Sequence, residues 1–145
     1  MNTTHGTGSR LAELSAFDCW QLLETAEIVR IAWNGPRGVS VVPVNFRLAD
    51  GALWFRTTPY AALAREAGDQ WVAAEVDHLD AGTRSGWSVV LRGTAELVAP
   101  EDVPDHLVDF RIWPQGHQSL FVRILPVEVT GRRLLPTPDG GQTEI

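Results

Sequence analysis

The sequence predicts a mainly β fold with short helices, an α+β chain whose roughly six strands form an antiparallel barrel. Three observations carry this. Apolar runs alternate with a period of two over strand lengths, breaks rich in Gly, Pro and Asp separate them, and no strand–helix–strand rhythm of a doubly wound sheet is present. With 145 residues, 44% of them hydrophobic, one domain with a real core is expected.

Residues 1–10 are rich in Gly, Thr and Ser without periodic apolar positions and read as a flexible arm ahead of a domain at 11–135. Ser15 caps a helix from Ala16 to about Thr25, with Asp18 as a short capping box and Leu14, Phe17 and Leu22 turned to the barrel. Ile28 to Trp33 is a strand, and Asn34-Gly-Pro-Arg-Gly38 turns into the segment that organises the chain. There Val39 to Phe46 reads as a strand that is apolar and covered on both faces. Asp50-Gly51 is its reversal, and Leu53-Trp-Phe55 is the return strand of a core hairpin. Thr58 and Pro59 suit a cap and a first helical position, opening a helix from Tyr60 to Ala67 that Gly68-Asp69 ends.

Trp71 to Asp77 is a strand with Trp71, Ala73, Glu75 and Asp77 on one side, followed by a loop from His78 to Gly86. Ser88 to Val98 is a long strand, Pro100 opens a polar helix through about Phe110, and residues 111–119 form an irregular loop. Leu120 to Leu135 is the last strand, where Pro126 and Gly131 indicate an edge position or a bulge. Residues 136–145 are polar and Gly/Pro-rich, a flexible tail.

A net charge of −6 and a pI near 5.1 argue against an electrostatic nucleic-acid binder. All 12 basic residues are Arg, which excludes Schiff-base chemistry through a lysine. The single Cys19, flanked by Phe17, Trp20 and Leu22, reads as a buried thiol. No charged leader with an apolar segment opens the chain and no apolar run approaches a membrane span, so a cytoplasmic location without membrane partners is expected. Neither a hydrolase nucleophile motif nor a Gly-rich nucleotide loop is present.

The first hint of chemistry is Arg56 with Thr57 and Thr58, beside the unpaired N–H groups of a helix start: such a corner can hold an anion, most naturally a phosphate. On these residues alone, a capped surface helix with a solvated arginine is the commoner meaning. Asp102, Asp105, His106 and Asp109 fall at helical spacings a metal can use, but an acidic exposed helix face is far commoner, and no metal is expected. Asp77, His78 and Asp80 adjoin one another without a nucleophile to complete a catalytic set.

Pro43-Val-Asn-Phe46, Phe55-Arg-Thr57 with a short helix after it, Ala74-Glu-Val-Asp77 and Ser85-Gly-Trp-Ser-Val-Val-Leu-Arg-Gly93 occur in this order. In that order the chain resembles the pyridoxamine 5'-phosphate oxidase-like family of FMN-binding split barrels, over roughly Leu14 to Leu134. The resemblance implies a six-stranded antiparallel split β-barrel of the flavin-reductase type, a homodimer, and one FMN in each of two clefts built from both subunits. Val42, Pro43, Val44 and Asn45 would then form a flat slot whose backbone meets the ring edge, and Arg56, Thr57 and Thr58 would hold the phosphate. Trp87 and Ser88 would come from the second subunit as cover and hydroxyl, and Trp113 and Arg123 match late-chain residues that contact cofactor or substrate in some relatives. Loop anchoring and a surface charge are the commoner roles for those two. Relatives commonly follow the Arg-Thr element with a lysine in the next helical turn; here that position is Ala62, with Arg65 one turn on. Two functions stand: an FMN-dependent oxidoreductase acting on a small planar molecule, or a non-catalytic split barrel that binds flavin weakly, or carries or senses a deazaflavin or haem.

Overall fold

The computed structural model describes residues 11–58, 60–107 and 120–136; residues 1–10, 111–119 with Trp113, and 137–145, where an arm, a loop and a tail are expected, lie outside them. In chain order the elements are β1 (Leu11–Glu13), α1 (Ala16–Leu23), β2 (Ile28–Gly35), β3 (Gly38–Asn45), β4 (Arg47–Ala49), β5 (Ala52–Thr57), α2 (Ala62–Ala67), β6 (Trp71–Asp80), β7 (Ser85–Val98) and β8 (Leu120–Leu134). They build one curled antiparallel sheet, the half-barrel of a split-barrel fold, in the order β3-β2-β6-β7-β8-β5-β4 with β1 beside β8. The six long strands are those the sequence predicts. The two extra ones, β1 and β4, span three residues each, too short to show a period.

Ser15 caps α1 as predicted, its hydroxyl accepting from Asp18 N at 3.1 Å. The helix ends at Leu23 and turns Cys19 and Leu23 inward, fully buried, while Phe17 is 69% exposed. At about 100° per residue, positions four apart share a face and Phe17 falls away from it. Against α1 lies Gly131 of β8, where an added Cβ would come within 2.6 Å of Cys19 Sγ. Burial first, and Asp18 second, push the Cys19 thiol above its ordinary value. Its reaction with a thiol reagent is therefore expected to be no faster than unfolding; rapid stoichiometric labelling of the native protein would contradict this.

The core hairpin differs from expectation. Asp50 and Gly51 do form the reversal, both at positive φ, but the strands they join are β4 and β5, paired Arg47↔Trp54 to Ala49↔Ala52. β3 pairs instead with β2, from Gly35↔Gly38 to Ile28↔Asn45. Its inner positions Val42 and Val44 pack on the core, while Val39 and Val41 stand 74% and 57% exposed, so one face is uncovered in a single protomer.

α2 begins at Ala62 after an Ala61 cap with no side-chain bond, not at Tyr60, because Leu63, Ala64 and Ala67 are the residues that reach the core; Pro59 lies outside the described residues. The polar helix expected from Pro100 is two short 3-10 turns, Pro100–Asp102 and Asp105–Leu107, interrupted before Pro104; residues 108–110 lie outside the described set. β6 and β7 run on to Asp80 and from Ser85, shortening the predicted loop. β8 is no edge: β7 lies along one side, and β5 and β1 along the other. The bulge reading of its proline stands, for the register shifts where Arg92 and Gly93 face Glu128 and Pro126. Among the described residues no helix is long and apolar enough to cross a membrane.

Candidate functional site in the split between two strands

The β4–β5 register, continued, would set Asn45 opposite Arg56 and Val44 opposite Thr57. The chain leaves that course at Phe46, whose N–H donates to Glu27 O at 3.0 Å, and β3 swings onto β2. Asn45 follows, buried, with its side-chain amide 3.4 Å from the same carbonyl. As a result, among the described residues one edge of β3 has no strand partner, nor has the edge of Phe55–Thr57 that faces away from β8. Such edges present backbone N–H and C=O groups to whatever lies between them. Val42 to Asn45 thus form one lip of the split, and Arg56 and Thr57 belong to the other.

The family model for pyridoxamine 5'-phosphate oxidase matches residues 15–133. The chain belongs to this family. It is 31% identical, over 86% of both chains, to an uncharacterized protein of Mycobacterium tuberculosis. Among solved structures it is similar to a FAD-binding protein of Mycobacterium smegmatis, with 30% identity, a TM-score of 0.66, and 85% of this chain and 97% of that one covered. A FAD-binding protein of Mesorhizobium loti is similar too, with 25% identity, a TM-score of 0.68 and coverage of 87% and 98%.

In this member of the pyridoxamine 5'-phosphate oxidase family, the residues expected to form a phosphate corner are not arranged as expected. Successive strand residues point to opposite faces, so Arg56 and Thr57 diverge. Arg56 lies on the outer face with its guanidinium carbon 4.9 Å from the Phe121 ring centroid, while Thr57 is buried, on the side of Leu53 and Phe55. Among the described residues nothing hydrogen-bonds the Thr57 hydroxyl. Thr58 is not a helix cap; its carbonyl accepts from Ala61 N at 3.2 Å, and the first N–H groups of α2 lie further on. Ala62 is half-buried against the core and Arg65 is exposed.

Arg123 shares the outer face with Arg56 and is already engaged. Its Nη2 and Nε lie 2.8 and 2.9 Å from Glu96 Oε1, and its guanidinium sits 5.8 Å from the Trp54 ring. Trp87 is buried on β7 beside a cavity of about 280 Å³ lined by Thr25, Ala26, Asp77 and His78, whereas Ser88 lies on the opposite face. Asn45 pairs with Ile28, and Ser88 with Asp77, which faces Ile28 if the β2–β6 register continues; Ser88 is thus ~14 Å, or three strand spacings, from Asn45. Arg56 is further still, because Phe121, its partner on β8, pairs with Val98 at the other end of β7. One protomer therefore does not bring Ser88 to the split, while Trp87 is part of the core.

The residues the sequence reading grouped on β6 gain a partner that it missed. Arg30 Nη1 lies 2.9 Å from Glu75 Oε1 and 3.0 Å from Asp77 Oδ2. Burial and the Asp77 carboxylate push Glu75 up to about 7 from its ordinary 4.5, against the opposing pull of Arg30. The spacing Glu-x-Asp marks one strand face; that β2 lies alongside is a long-range fact no local signal supplies. Asp80, by contrast, closes a turn by accepting from Gly82 N and Thr83 N at 2.8 and 3.1 Å. Among the described residues no three His, Cys, Asp or Glu side chains gather as a metal site.

Proposed function

We propose that this chain is a flavin-dependent oxidoreductase that binds FMN in the β3–β5 split and works as a homodimer on a small planar substrate. The observation that carries the reading is the pair of unpartnered strand edges, Val42 to Asn45 and Phe55 to Thr57, in a chain of this family. The FAD-binding proteins similar to it support a flavin. Bound there, the isoalloxazine would supply hydride or electron transfer. The protein's own part is binding and polarity. Backbone groups of β3 suit the ring's pyrimidine edge, the buried Thr57 hydroxyl has a bond to give or accept, and Arg56 is the cation nearest the split in sequence.

The homodimer reading rests on the resemblance and on two features. Val39, Val41 and Trp71 leave an apolar face open across β3 and β6, and Ser88 is too far from the split to complete it within one protomer. A second reading, a non-catalytic carrier or sensor of weakly held flavin, deazaflavin or haem, is favoured by Ala62 standing where relatives commonly have lysine.

The visible absorption spectrum of the purified protein, before and after incubation with FMN and with FAD, separates the two. A flavin spectrum that remains with the protein through gel filtration and bleaches with a nicotinamide reductant is expected. A deazaflavin or haem spectrum, or none after both incubations, would replace the oxidoreductase reading with the second.

A further inference from the structure

We propose that the Arg30, Glu75 and Asp77 cluster is a proton-uptake site that couples self-association to pH, two copies closing over the β3–β2–β6 face as each Glu75 takes a proton. The inference rests on the homodimer reading above.

The cluster lies on the uncovered face. Pro43 pairs with Arg30, Arg30 with Glu75 and Glu75 with Val90, forming one rung; the next rung is Val41, Ala32, Ala73 and Arg92. Beyond it stands Trp71, 56% exposed, with Val39 at 74%. A second copy that covers these apolar side chains also removes water from the charges between them. The occupant is a second copy on that homodimer reading, in which Ser88, beside Asp77 on this face, meets the β3–β5 split of the other protomer.

One guanidinium serves two carboxylates, so the cluster carries one negative charge in excess. From β3 the neighbour is the uncharged Pro43. From β7 the charged group is Arg92, already paired with Glu128 of β8 at 3.3 Å. From β2 it is Arg30, and from β6 itself Asp77. Two-fold symmetry places two such clusters in one interface, and uncompensated charge is expensive to dehydrate. A solvent proton on each Glu75 leaves Arg30 with Asp77 as a neutral pair and adds an O–H donor, with no other bond changed.

Glu75 already titrates near 7 in one protomer, from burial and Asp77. Further loss of water raises it again, so the dimer holds more protons than two monomers at and above that pH. Association is therefore strongest at and below about pH 7, and weakens as pH rises beyond it by at most about a hundredfold per unit, the limit for two protons per dimer.

Sedimentation equilibrium of the full chain from about pH 6.5 to about pH 9 tests this with wild type, Glu75→Gln and Asp77→Asn. The wild-type association constant is expected to fall at least tenfold across the range. Glu75→Gln should associate at every pH about as tightly as wild type does at the acid end, and Asp77→Asn, in which Arg30 and the ionised Glu75 already form a neutral pair, should lose the fall. Groups elsewhere remain in Glu75→Gln and are thereby subtracted. A wild-type dimer whose association ignores pH, or a Glu75→Gln dimer that keeps the slope, overturns the coupling and leaves the homodimer reading standing. Monomers throughout, in all three proteins, remove the homodimer reading and the coupling together.

Discussion

Gly86→Ala is expected to cost about 2–5 kcal/mol of folding stability, the joint effect of a strained backbone and an overfilled contact. Gly86 sits at φ +156°, and an added Cβ would strike the His78 carbonyl oxygen and the Cα and Cδ2 of Leu79 on β6. Retreat is blocked on both sides. β7 is held to β6 from Trp71↔Thr94 to Asp80↔Ser85, and Gly86 itself is also opposite Leu134 of β8. Only the exposed Leu79 side chain can yield; the backbone atoms cannot. Urea unfolding should show a lower midpoint with an unchanged slope. A loss below about 0.5 kcal/mol would show that the strands give way more easily than this packing implies. The glycine of the Gly-Trp-Ser element thus has a packing reason of its own, so its presence is no sign of a ligand.

What was legible in the sequence was what a period of two can encode. Trp71, Ala73, Glu75 and Asp77 share a face because strand residues alternate, and the Asp50-Gly51 reversal is written in residues that tolerate positive φ. Partner choice was not legible. Val39 to Asn45 would suit a hairpin with β5 as well as a ladder with β2; that decision falls at Phe46, through a bond to Glu27 on the far side of the β2–β3 turn, which no local pattern marks. The same blindness hid Arg30 from Glu75. The divergence of Arg56 and Thr57, however, follows from the period already used for the strand, and a phosphate corner drawing on both side chains overlooks it. Phe17 was misplaced for a similar reason, as apolar character was read without the helical angle that turns Cys19 and Leu23 inward.

Arg56→Ala is expected to weaken FMN by about 1.5–3 kcal/mol, roughly ten- to a hundredfold, and to leave riboflavin nearly unchanged. The two ligands share the isoalloxazine and the ribityl chain and differ in the phosphate, so the contrast isolates charge recognition from ring binding. Arg56 rests on Phe121 at 4.9 Å on the outer face of β5, half-exposed, and its long stem must carry the guanidinium to the split from there. Truncation also forfeits the cation–π contact, worth about 0.5–1 kcal/mol at such a site, so the unfolding midpoint has to be measured beside the affinity. Ala62→Lys acts in the opposite direction. Ala62 is half-buried at the start of α2, and a lysine stem can lie along that apolar surface with its ammonium at the mouth, tightening FMN and not riboflavin. Fluorescence titration of wild type and both variants with FMN, FAD and riboflavin gives all the comparisons, FAD reporting whether a bridged phosphate serves as well as a terminal one. If wild type prefers neither phosphorylated flavin to riboflavin, and Ala62→Lys creates no preference, the β5 lip holds no phosphate and the oxidoreductase reading yields to the non-catalytic one.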